Sequence, residues 1–359
     1  MKPKIIAFHL PQFHAIKEND KWWGKGFTEW VNTKKGKPLF KNHIQPKEPL
    51  NNNYYNMLDI NTLKLQCELS NKYGIYGFCY YHYWFNGKLL LEKPVENLLA
   101  NKSINQKFCF CWANEPWTRA WDGYETNVLM QQTYGDKKDW EDHFKYFLQF
   151  FKDKRYICID NKPILVLYRT NNIDKCEEMI SFWNELACEN GFSGLYVIEE
   201  KNGFQHNAVC KNSDAILEFE PLYTMKKGFG FLGKIKYTIF MKVVKKIFKN
   251  KVHSFSYDCL WKNIIRRKRK LTDKKCYVGA FVDWDNTARK NVRGCVVKGT
   301  SPKKFEKYLT MQMKNAENIS SNFIFINAWN EWGEGAYLEP DKHNKYAFLE
   351  ALKRVVDKR

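Results

Sequence analysis

The hydrophobic and polar positions follow two repeating patterns along the chain. Short apolar or β-branched runs bounded by turn residues predict strands. Eight such runs occur, at Lys4–His9, Ile75–Tyr83, Lys107–Ala113, Pro163–Arg169, Leu195–Glu199, Ala215–Pro221, Tyr277–Trp284 and Phe323–Trp329. Between and after them, apolar residues recur three and four positions apart, which predicts helices. These stretches are Leu58–Tyr73, Lys93–Lys102, Lys138–Phe151, Asp174–Asn190, Asn202–Asn212, Tyr257–Lys268, Ser301–Asn318 and Lys345–Asp357.

Regular alternation of strand and helix over 359 residues predicts an α/β fold, a (β/α)8 TIM barrel with loop insertions. We expect a single catalytic domain over residues 1–359, with a basic amphipathic insertion at residues 222–275. A doubly wound nucleotide-binding fold would need a Gly-rich turn after its first strand. Leu10, Pro11 and Gln12 stand there instead, and the sequence contains no GxGxxG or P-loop motif.

The composition narrows the class of protein. Hydrophobic residues make up 44% of the chain, which is enough for a core and excludes a wholly disordered chain. The aromatic content of 16% suggests flat amphipathic surfaces of the kind that bind sugars. Eleven cysteines without a CxxC pair favour a reducing compartment over a disulfide framework. No secretory signal or bilayer-spanning apolar run is recognisable, so we expect a cytoplasmic protein.

The formal net charge of +20 suggests an anionic partner. Residues 226–251 mix nine Lys with large apolar residues, a pattern that predicts contact with an anionic membrane surface at the inner face of the plasma membrane. Lys and Asn are abundant throughout the chain, however, so a compositional bias with no partner explains the charge equally well. We expect no nucleic acid partner, because no zinc-finger spacing, RNA-binding signature or basic zipper accompanies the charge.

Polar and aromatic residues concentrate where the predicted strands end, which is where barrels of this kind perform chemistry. Rings can stack on the apolar faces of sugars while carboxylates and amides bind the hydroxyls. The candidate substrate-binding residues are His9, Gln12, Trp30, Tyr81, His82, Tyr83, Trp112, Asn114, Glu115, Trp117, Arg119, Trp121, Tyr168, Glu218, Asp285, Asn286, Arg289, Trp329, Asn330 and Trp332. His9 and His82 could equally be core histidines, and some of the tryptophans must belong to the core.

Glu331 and Glu334 are the candidate catalytic residues. Retaining glycosidases use two carboxyl groups about 5–5.5 Å apart, and residues three apart in a helical turn meet that distance. Two like charges so close raise one pKa, as an acid catalyst requires. Glu115, in an Asn-Glu-Pro sequence at a strand end, is the alternative candidate for the acid catalyst. Asp283 and Asp285 form an Asp-x-Asp string that could hold a divalent cation, but we expect neither a metal nor a cofactor.

Several long motifs carry a resemblance to a known family. They are His9–His14, Trp22–Trp30, Gly77–Phe85, Cys111–Glu115, Trp284–Arg289 and Asn327–Pro340. On these motifs the chain resembles the WbsX family of bacterial polysaccharide-biosynthesis proteins, whose members are usually described as glycosyltransferases. That family is itself similar to glycoside hydrolase family 99, the endo-α-mannosidases and endomannanases. The second resemblance rests mainly on the barrel and on the Glu331/Glu334 signature.

The hydrolase resemblance implies roles for the two glutamates. Glu331 would deprotonate the sugar 2-hydroxyl, which attacks the anomeric carbon to give a 1,2-anhydro intermediate, and Glu334 would protonate the departing oxygen. The function implied is an enzyme that makes or cleaves a glycosidic bond in bacterial surface polysaccharide such as O-antigen lipopolysaccharide or capsule, with an oligosaccharide or lipid-linked saccharide as partner. An endo-acting glycoside hydrolase and a non-catalytic saccharide-binding scaffold at the membrane face are the alternatives. Glutamates that are buried, separated or salt-bridged would favour the scaffold.

Overall fold

Eight parallel strands form a closed barrel in the computed structural model, which describes residues 2–119, 124–203, 210–228, 252–269 and 273–358. The strands are β1 (Lys4–His9), β2 (Gly77–Phe85), β3 (Lys107–Trp112), β4 (Lys162–Leu167), β5 (Tyr196–Lys201), β6 (Ala215–Glu218), β7 (Lys275–Phe281) and β8 (Phe323–Asn327). Each strand pairs with its neighbours in sequence order, and β8 pairs with β1 to close the barrel. All eight predicted strands are present, and the predicted (β/α)8 barrel is confirmed.

Helices connect the strands and surround the barrel. They are α1 (Lys17–Trp23), α2 (Glu29–Lys34), α3 (Ile60–Tyr73), α4 (Lys93–Ala100), α5 (Lys137–Phe151), α6 (Cys176–Glu189), α7 (Tyr257–Arg266), α8 (Thr287–Lys290), α9 (Pro302–Asn318) and α10 (Ala347–Asp357). The short helices α1, α2 and α8 lie in the loops that follow β1 and β7, and the hydrophobic pattern did not predict them. The predicted helix over residues 202–212 is wrong at both described ends, which are turns and coil, while residues 204–209 lie outside the described part.

Short strands lie in the loops between these elements. They are Lys88–Leu90, Trp117–Arg119, Tyr124–Met130, Cys158–Ile159, His253–Ser256, Cys295–Lys298, Asn330–Glu331 and Ala336–Tyr337. Most pair as local two-stranded ribbons, such as Asn330–Glu331 with Ala336–Tyr337. They extend the loops at both ends of the barrel and stiffen the loop that follows β8.

Helix starts follow local side-chain chemistry. The hydroxyl of Ser301 accepts a hydrogen bond from the backbone N–H of Lys304 at 3.4 Å, which caps α9 in the way that Ser before Pro predicts. The helix α10 begins differently, because its first flanking residue, Tyr346, makes no side-chain cap. Upstream of α10, the carboxylate of Asp341 accepts from the backbone N–H of Asn344.

The alternation of side chains along β2 decides which rim residues reach the barrel interior. Tyr81 faces inward and stacks on Phe8 of β1, with ring centroids 5.4 Å apart. His82 faces outward, where its Nε2 lies 2.8 Å from Nε2 of His143 in α5. Tyr83 faces inward again. Successive residues at the rim therefore face either the barrel interior or the surrounding helices, although all of them are polar aromatic residues in the sequence.

The single-domain assignment and the basic insertion at 222–275 stay predictions. Residues 229–251 and 270–272 lie outside the described part, so the proposed membrane-contacting segment 226–251 is almost wholly undescribed. Among the residues that the structure does describe, none of the helices combines the length and the apolarity that crossing a membrane requires.

Candidate active site

Glu331 and Glu334 lie on a tight loop after β8. The strand Asn330–Glu331 leads into a 3-10 turn at Trp332–Glu334, and the chain then reverses at Gly335, whose φ of +63° suits glycine. The backbone N–H of Asp285 donates to the carbonyl of Glu334 at 2.6 Å, which ties this loop to the one after β7. The loop that carries both glutamates is thereby fixed to the loop after β7.

One arginine binds both carboxyl groups. Arg289, in α8, places Nη2 at 3.2 Å from Oε2 of Glu331 and Nη1 at 2.8 Å from Oε1 of Glu334. Its Nε lies 2.7 Å from Oε1 of Glu29, the first residue of α2. The side chains of Arg289 and Glu29 are 6% and 0% exposed, whereas that of Glu334 is 26% exposed. The group has more carboxylates than cations, and only Glu334 opens appreciably to solvent.

Burial sets the proton affinity of this group. It raises the pKa of Glu331 to about 8, with a further increase from the charges of Glu334 and Glu29 and an opposing decrease from Arg289. Burial also raises the pKa of Glu29. At neutral pH Glu331 therefore retains a proton that a solvated glutamate would have lost.

Aromatic side chains lie beside Glu331. Burial raises the pKa values of Tyr81 and Tyr83, and the charge of Glu331 raises both further, so both phenols stay protonated and can donate hydrogen bonds. Trp117 packs edge-on against Tyr83 with ring centroids 5.2 Å apart and is partly exposed. A half-exposed indole next to two phenols can stack on the apolar face of a sugar.

The loops after β3 and β4 contribute an ion pair. Glu115 lies 2.6 Å from Nη2 of Arg169. Asn114 fixes this pair: its side chain accepts from the backbone N–H of Arg169 and donates to the carbonyl of the same residue, both at 2.8 Å. Tyr168 is partly exposed, and burial together with the charge of Glu115 raises its pKa. Among the predicted residues, Glu115, Tyr168, Tyr81, Tyr83 and Arg289 thus have electrostatic contact with the glutamate pair or with each other.

Glu200 is a carboxyl group in the barrel interior that the candidate residues did not include. It is fully buried at the end of β5, and its Oε1 accepts from Nδ2 of Asn202 at 3.3 Å. Burial raises its pKa well above the ordinary value, with a further increase from the charge of Glu115. A protonated carboxyl beneath the rim can donate a hydrogen bond to a ligand or to a neighbouring oxygen.

Three predicted rim residues belong instead to the packing between strands and helices. Nε2 of His9 lies 3.0 Å from Oε1 of Gln66 in α3, and burial lowers the pKa of His9 to about 3. His82 is equally buried, with its pKa lowered to about 3. Trp112 packs against His143 and Trp183, on the outer side of β3. Each of the three lies at the outward position of its strand, where it contacts the surrounding helices, so the structure does not bring it to the glutamate pair.

Other candidates hold the loops of the rim in place. Asn330 receives a hydrogen bond from the backbone N–H of Leu10 at 2.8 Å and donates to its carbonyl at 3.0 Å. The three tryptophans of this region, Trp30, Trp329 and Trp332, are buried. The indole of Trp332 donates to Glu339 at 2.7 Å. These residues stabilise the loop that carries the glutamates and do not line its open side.

Glu218 faces away from the glutamate pair. Its neighbour Phe219 packs inside the barrel against Phe8 at 5.0 Å, so Glu218 turns outward. There its Oε2 lies 2.8 Å from Arg267 and 2.7 Å from Arg269. The expectation that Glu218 contacts substrate is therefore replaced by a role in a buried ion-pair network.

Asp283 and Asp285 are each engaged by protein groups. Asp283 accepts from the hydroxyl of Thr300 at 2.6 Å. Asp285 accepts from Nε2 of His43 at 2.8 Å and from Nε2 of Gln45 at 2.7 Å. These contacts hold the loop after β7 and do not bring the two carboxylates to one ligand. Asn286 is buried in the same loop and accepts a backbone hydrogen bond from the following strand at 2.8 Å.

The remaining candidates lie at the edge of the site. Gln12 is buried, and its backbone carbonyl accepts from the N–H of Glu29 at 2.9 Å. Arg119 donates to the carbonyl of Trp22 at 3.3 Å and is partly exposed. Trp121 lies outside the described residues. Gln12 and Arg119 thus support the loops next to the glutamates.

A cavity of about 560 Å³ lies at the other end of the barrel. Its lining includes Lys4, Tyr76 and Lys107, which stand at the starts of β1, β2 and β3. Because the glutamate pair follows the carboxyl end of β8, this cavity is not part of the site described above.

Comparison with known proteins gives consistent results. The family model "Glycosyltransferase WbsX" matches residues 5–352. The uncharacterised protein WxcX from two strains of Xanthomonas campestris pv. campestris is 34% and 33% identical over 98% of this chain. The match covers 49% of WxcX, so the chain spans about half the length of the curated relatives it matches.

Solved structures show the same architecture. The GH99 endo-alpha-mannosidase from Bacteroides thetaiotaomicron superimposes with a TM-score of 0.56 and 14% identity, over 98% of this chain and 95% of that one. A structure of this GH99 enzyme with bis-tris-propane has a TM-score of 0.57 and 14% identity, over 99% and 96% of the two chains. A glycoside hydrolase-like protein has a TM-score of 0.58 and 13% identity, over 100% and 95%. At these identities the likeness concerns the fold.

Proposed function

The chain belongs to the WbsX glycosyltransferase family, and from this premise we propose that it is a carbohydrate-active enzyme that makes or breaks a glycosidic bond at Glu331 and Glu334. The observation that supports this most is the binding of both carboxyl groups by one buried arginine at the carboxyl ends of the barrel strands. That end of a (β/α)8 barrel is where its enzymes carry their catalytic residues.

The proposed reaction uses the two glutamates differently. Glu331 removes the proton of the sugar 2-hydroxyl, the oxygen forms a bond to the anomeric carbon, and the bond from that carbon to the departing oxygen breaks. Glu334 gives its proton to that oxygen. Glu331 acts in its ionised form, and because its pKa is raised to about 8 that form is a stronger base than a solvated glutamate and becomes more abundant as pH rises towards 8. The greater exposure of Glu334 suits it to reach the leaving group.

Transfer and hydrolysis differ only in the second step. Water opening the 1,2-anhydro ring gives hydrolysis, and an acceptor hydroxyl gives transfer. In either case the attacking oxygen gives its proton to Glu334, the bond between the anomeric carbon and O2 breaks, and Glu331 returns its proton to O2. We propose transfer in the assembly of bacterial surface polysaccharide, on an oligosaccharide or lipid-linked saccharide at the cytoplasmic face of the membrane. An endo-acting hydrolase is the alternative that the same groups would support.

A non-catalytic saccharide-binding scaffold is the second candidate. It is favoured by the burial of Glu331 and by the ion pairs that both glutamates make with Arg289. The enzyme is favoured by the shortage of cations in the cluster and by the raised pKa of Glu331, because a purely structural ion pair does not require a carboxylate that holds its proton at neutral pH.

The test is turnover of a saccharide panel. Wild-type protein is incubated with free and lipid-linked oligosaccharides, with and without nucleotide sugars, and products are read by mass spectrometry. We expect Glu334→Gln to lower turnover by about 100-fold or more, since it removes the transferable proton. Glu220→Gln is the matched control, because it makes the same change in a buried glutamate that pairs with Arg267 elsewhere on the barrel. This variant should retain turnover.

Two outcomes would contradict the proposal. Turnover that requires a nucleotide sugar and is unaffected by Glu334→Gln would exclude the two-glutamate mechanism. Saccharide binding without any product, in wild type and variants alike, would favour the scaffold.

A further inference from the structure

Glu29 is a carboxyl group that neither the strand-end pattern nor the two-glutamate signature assigns to the site. It begins α2 in the loop region after β1 and is fully buried. Its Oε1 accepts from Nε of Arg289 at 2.7 Å, across 260 residues of sequence. A carboxylate with no exposure is costly unless it is paired, so the position of Glu29 depends on Arg289.

The glycine of the signature gives an independent link. A Cβ placed on Gly333 would lie 1.8 Å from Oε1 of Glu29 and 2.8 Å from Nε of Arg289. The carboxyl group of Glu29 therefore occupies the space where any other residue at position 333 would carry its side chain. Glu29 packs directly against the backbone that joins Glu331 to Glu334.

The geometry of the guanidinium explains what this contact does. Its five N–H donors lie in one rigid plane, so fixing one nitrogen fixes the directions of the others. With Nε held by Glu29, the nitrogens Nη1 and Nη2 point to Glu334 and Glu331. Without Glu29, the plane of the Arg289 guanidinium could rotate, and the two carboxyl groups would no longer be fixed relative to each other.

We propose that Glu29 is a positioning residue for the Glu331/Glu334 pair and that it acts through Arg289. The consequence for chemistry rests on the function proposed above. The negative charge of Glu29 also balances part of the charge of Arg289, so that Arg289 orients Glu331 without abolishing its basicity. Glu29 contacts no reacting atom in this arrangement and is therefore not itself catalytic.

The first test needs no substrate. The carboxyl carbons of glutamate are labelled with 13C, and Glu331 is titrated by NMR, with its signal assigned by its loss in Glu331→Gln. The groups that face Glu331 are Arg289, Glu334, Glu29, Tyr81 and Tyr83. Removing one negative charge from this set in Glu29→Gln should move the titration of Glu331 down by about one pH unit.

Conservative and control variants separate charge from structure. Glu29→Asp keeps the charge and should leave the titration of Glu331 close to that of wild type. Glu220→Gln removes a buried carboxylate of the Arg267 ion pair and should not move it. Should Glu29→Gln fail to fold, Gly333→Ala tests the same contact from the other side, because the added methyl group displaces Glu29, and the titration should again move downward.

The second test uses the substrate found in the panel. Misplacement of a reacting group by about 1 Å can cost about 100-fold in rate, so Glu29→Gln should lower kcat by about 10- to 100-fold with little change in KM. The acidic limb of its pH–rate profile should shift to lower pH, because Glu331 becomes easier to deprotonate. Glu29→Asp should recover part of the kcat.

The outcomes distinguish this inference from the proposed function. A folded Glu29→Gln with unchanged titration and unchanged kcat overturns the positioning role while leaving the two-glutamate mechanism intact. A shifted titration together with the absence of any saccharide turnover in wild type overturns the proposed function, while the coupling of Glu29 to Glu331 stands.

Discussion

In the part of the chain that the structure describes, two buried arginine–glutamate clusters lie at the carboxyl ends of the barrel strands. The Arg289 cluster contains Arg289, Glu29, Glu331 and Glu334. The Arg267 cluster contains Arg267, Arg269, Glu218 and Glu220. The first has three carboxylates for one guanidinium, and the second has two for two. Their ion-pair distances are similar, at 2.7–3.2 Å in the first cluster and 2.7–2.8 Å in the second.

The difference shows that burial alone does not distinguish a reactive carboxylate from a structural one. Burial raises the pKa of Glu220 in the balanced cluster as well. There, Arg267 also donates to Thr224 at 2.5 Å and lies over the ring of Tyr223, contacts that hold a loop in place. In the Arg289 cluster the three carboxylates share one guanidinium, and the raised pKa of Glu331 lets a proton offset part of the excess negative charge. Protons held in this way are available for acid–base chemistry.

The largest effect should come from removing Arg289. Arg289→Met takes the arginine from the buried Glu29 and Glu331 and from the partly exposed Glu334, and breaking a buried pair in this way costs about 3–5 kcal/mol of unfolding free energy. The loss should be greater at pH 8 than at pH 5, because protonation can neutralise the glutamates at the lower pH. Urea unfolding followed by tryptophan fluorescence at the two pH values measures it.

Arg267→Met is the matched control for this change. In that variant Glu218 keeps Arg269 at 2.7 Å and one carboxylate, Glu220, loses its arginine, whereas three lose it in Arg289→Met. We therefore expect a smaller loss with a weaker dependence on pH. Equal losses with equal pH dependence in the two variants would show that the charge imbalance of the Arg289 cluster has no energetic consequence.

The sequence predicts the barrel because its strands are buried on both faces and stand out as short apolar runs. It does not reveal which face of a strand points inward. Tyr81 and Tyr83 face the interior and His82 faces α5, yet all three have the same signature of a polar aromatic residue near a strand end. His9 and Trp112 also carry this signature, and both face the surrounding helices.

The site itself is predicted only in part. The spacing of Glu331 and Glu334 identifies the pair. The sequence also indicates Arg289 as a site residue, but as a group that binds the sugar and not as one that binds the two glutamates. Its ion pairs with the glutamates depend on packing between the loops after β1, β7 and β8. Glu29 stands in the Trp22–Trp30 motif, but nothing in that motif indicates its partner, which lies 260 residues away. Gly333, whose missing side chain makes room for Glu29, indicates the contact only once the fold is known.

A smaller effect should appear in the pH dependence of stability. The folded protein keeps the proton of Glu331 up to a pH of about 8, whereas the unfolded chain releases it near 4.5. The folded state therefore binds more protons between these values, and its stability falls as pH rises. Glu331→Gln removes this loss, so its unfolding free energy relative to wild type should rise by about 1 kcal/mol per pH unit between pH 5 and 7.

Glu306→Gln is the control for this titration. Glu306 pairs with Arg354 and Lys358 at the surface, and these partners lower its pKa. Its contribution is lost only as pH falls below the ordinary glutamate range, so the difference from wild type should stay constant between pH 5 and 8. A constant difference for Glu331→Gln as well would show that Glu331 is ionised in the folded state at neutral pH.

The smallest effect should come from removing a whole pair in the balanced cluster. Replacing a buried ion pair by uncharged groups of similar size is often neutral, because the desolvation of both ions is avoided. In Arg267→Met combined with Glu220→Gln, Glu218 still has Arg269. We therefore expect the unfolding free energy, measured with urea, to change by less than about 1 kcal/mol and saccharide turnover to stay unchanged.

The corresponding pair of changes in the other cluster, Arg289→Met with Glu29→Gln, should abolish turnover even where the fold survives, since Glu331 and Glu334 then have no common partner. Loss of turnover in both double variants would mean that the Arg267 cluster also shapes the site, and the distinction between a structural and a reactive cluster would fail.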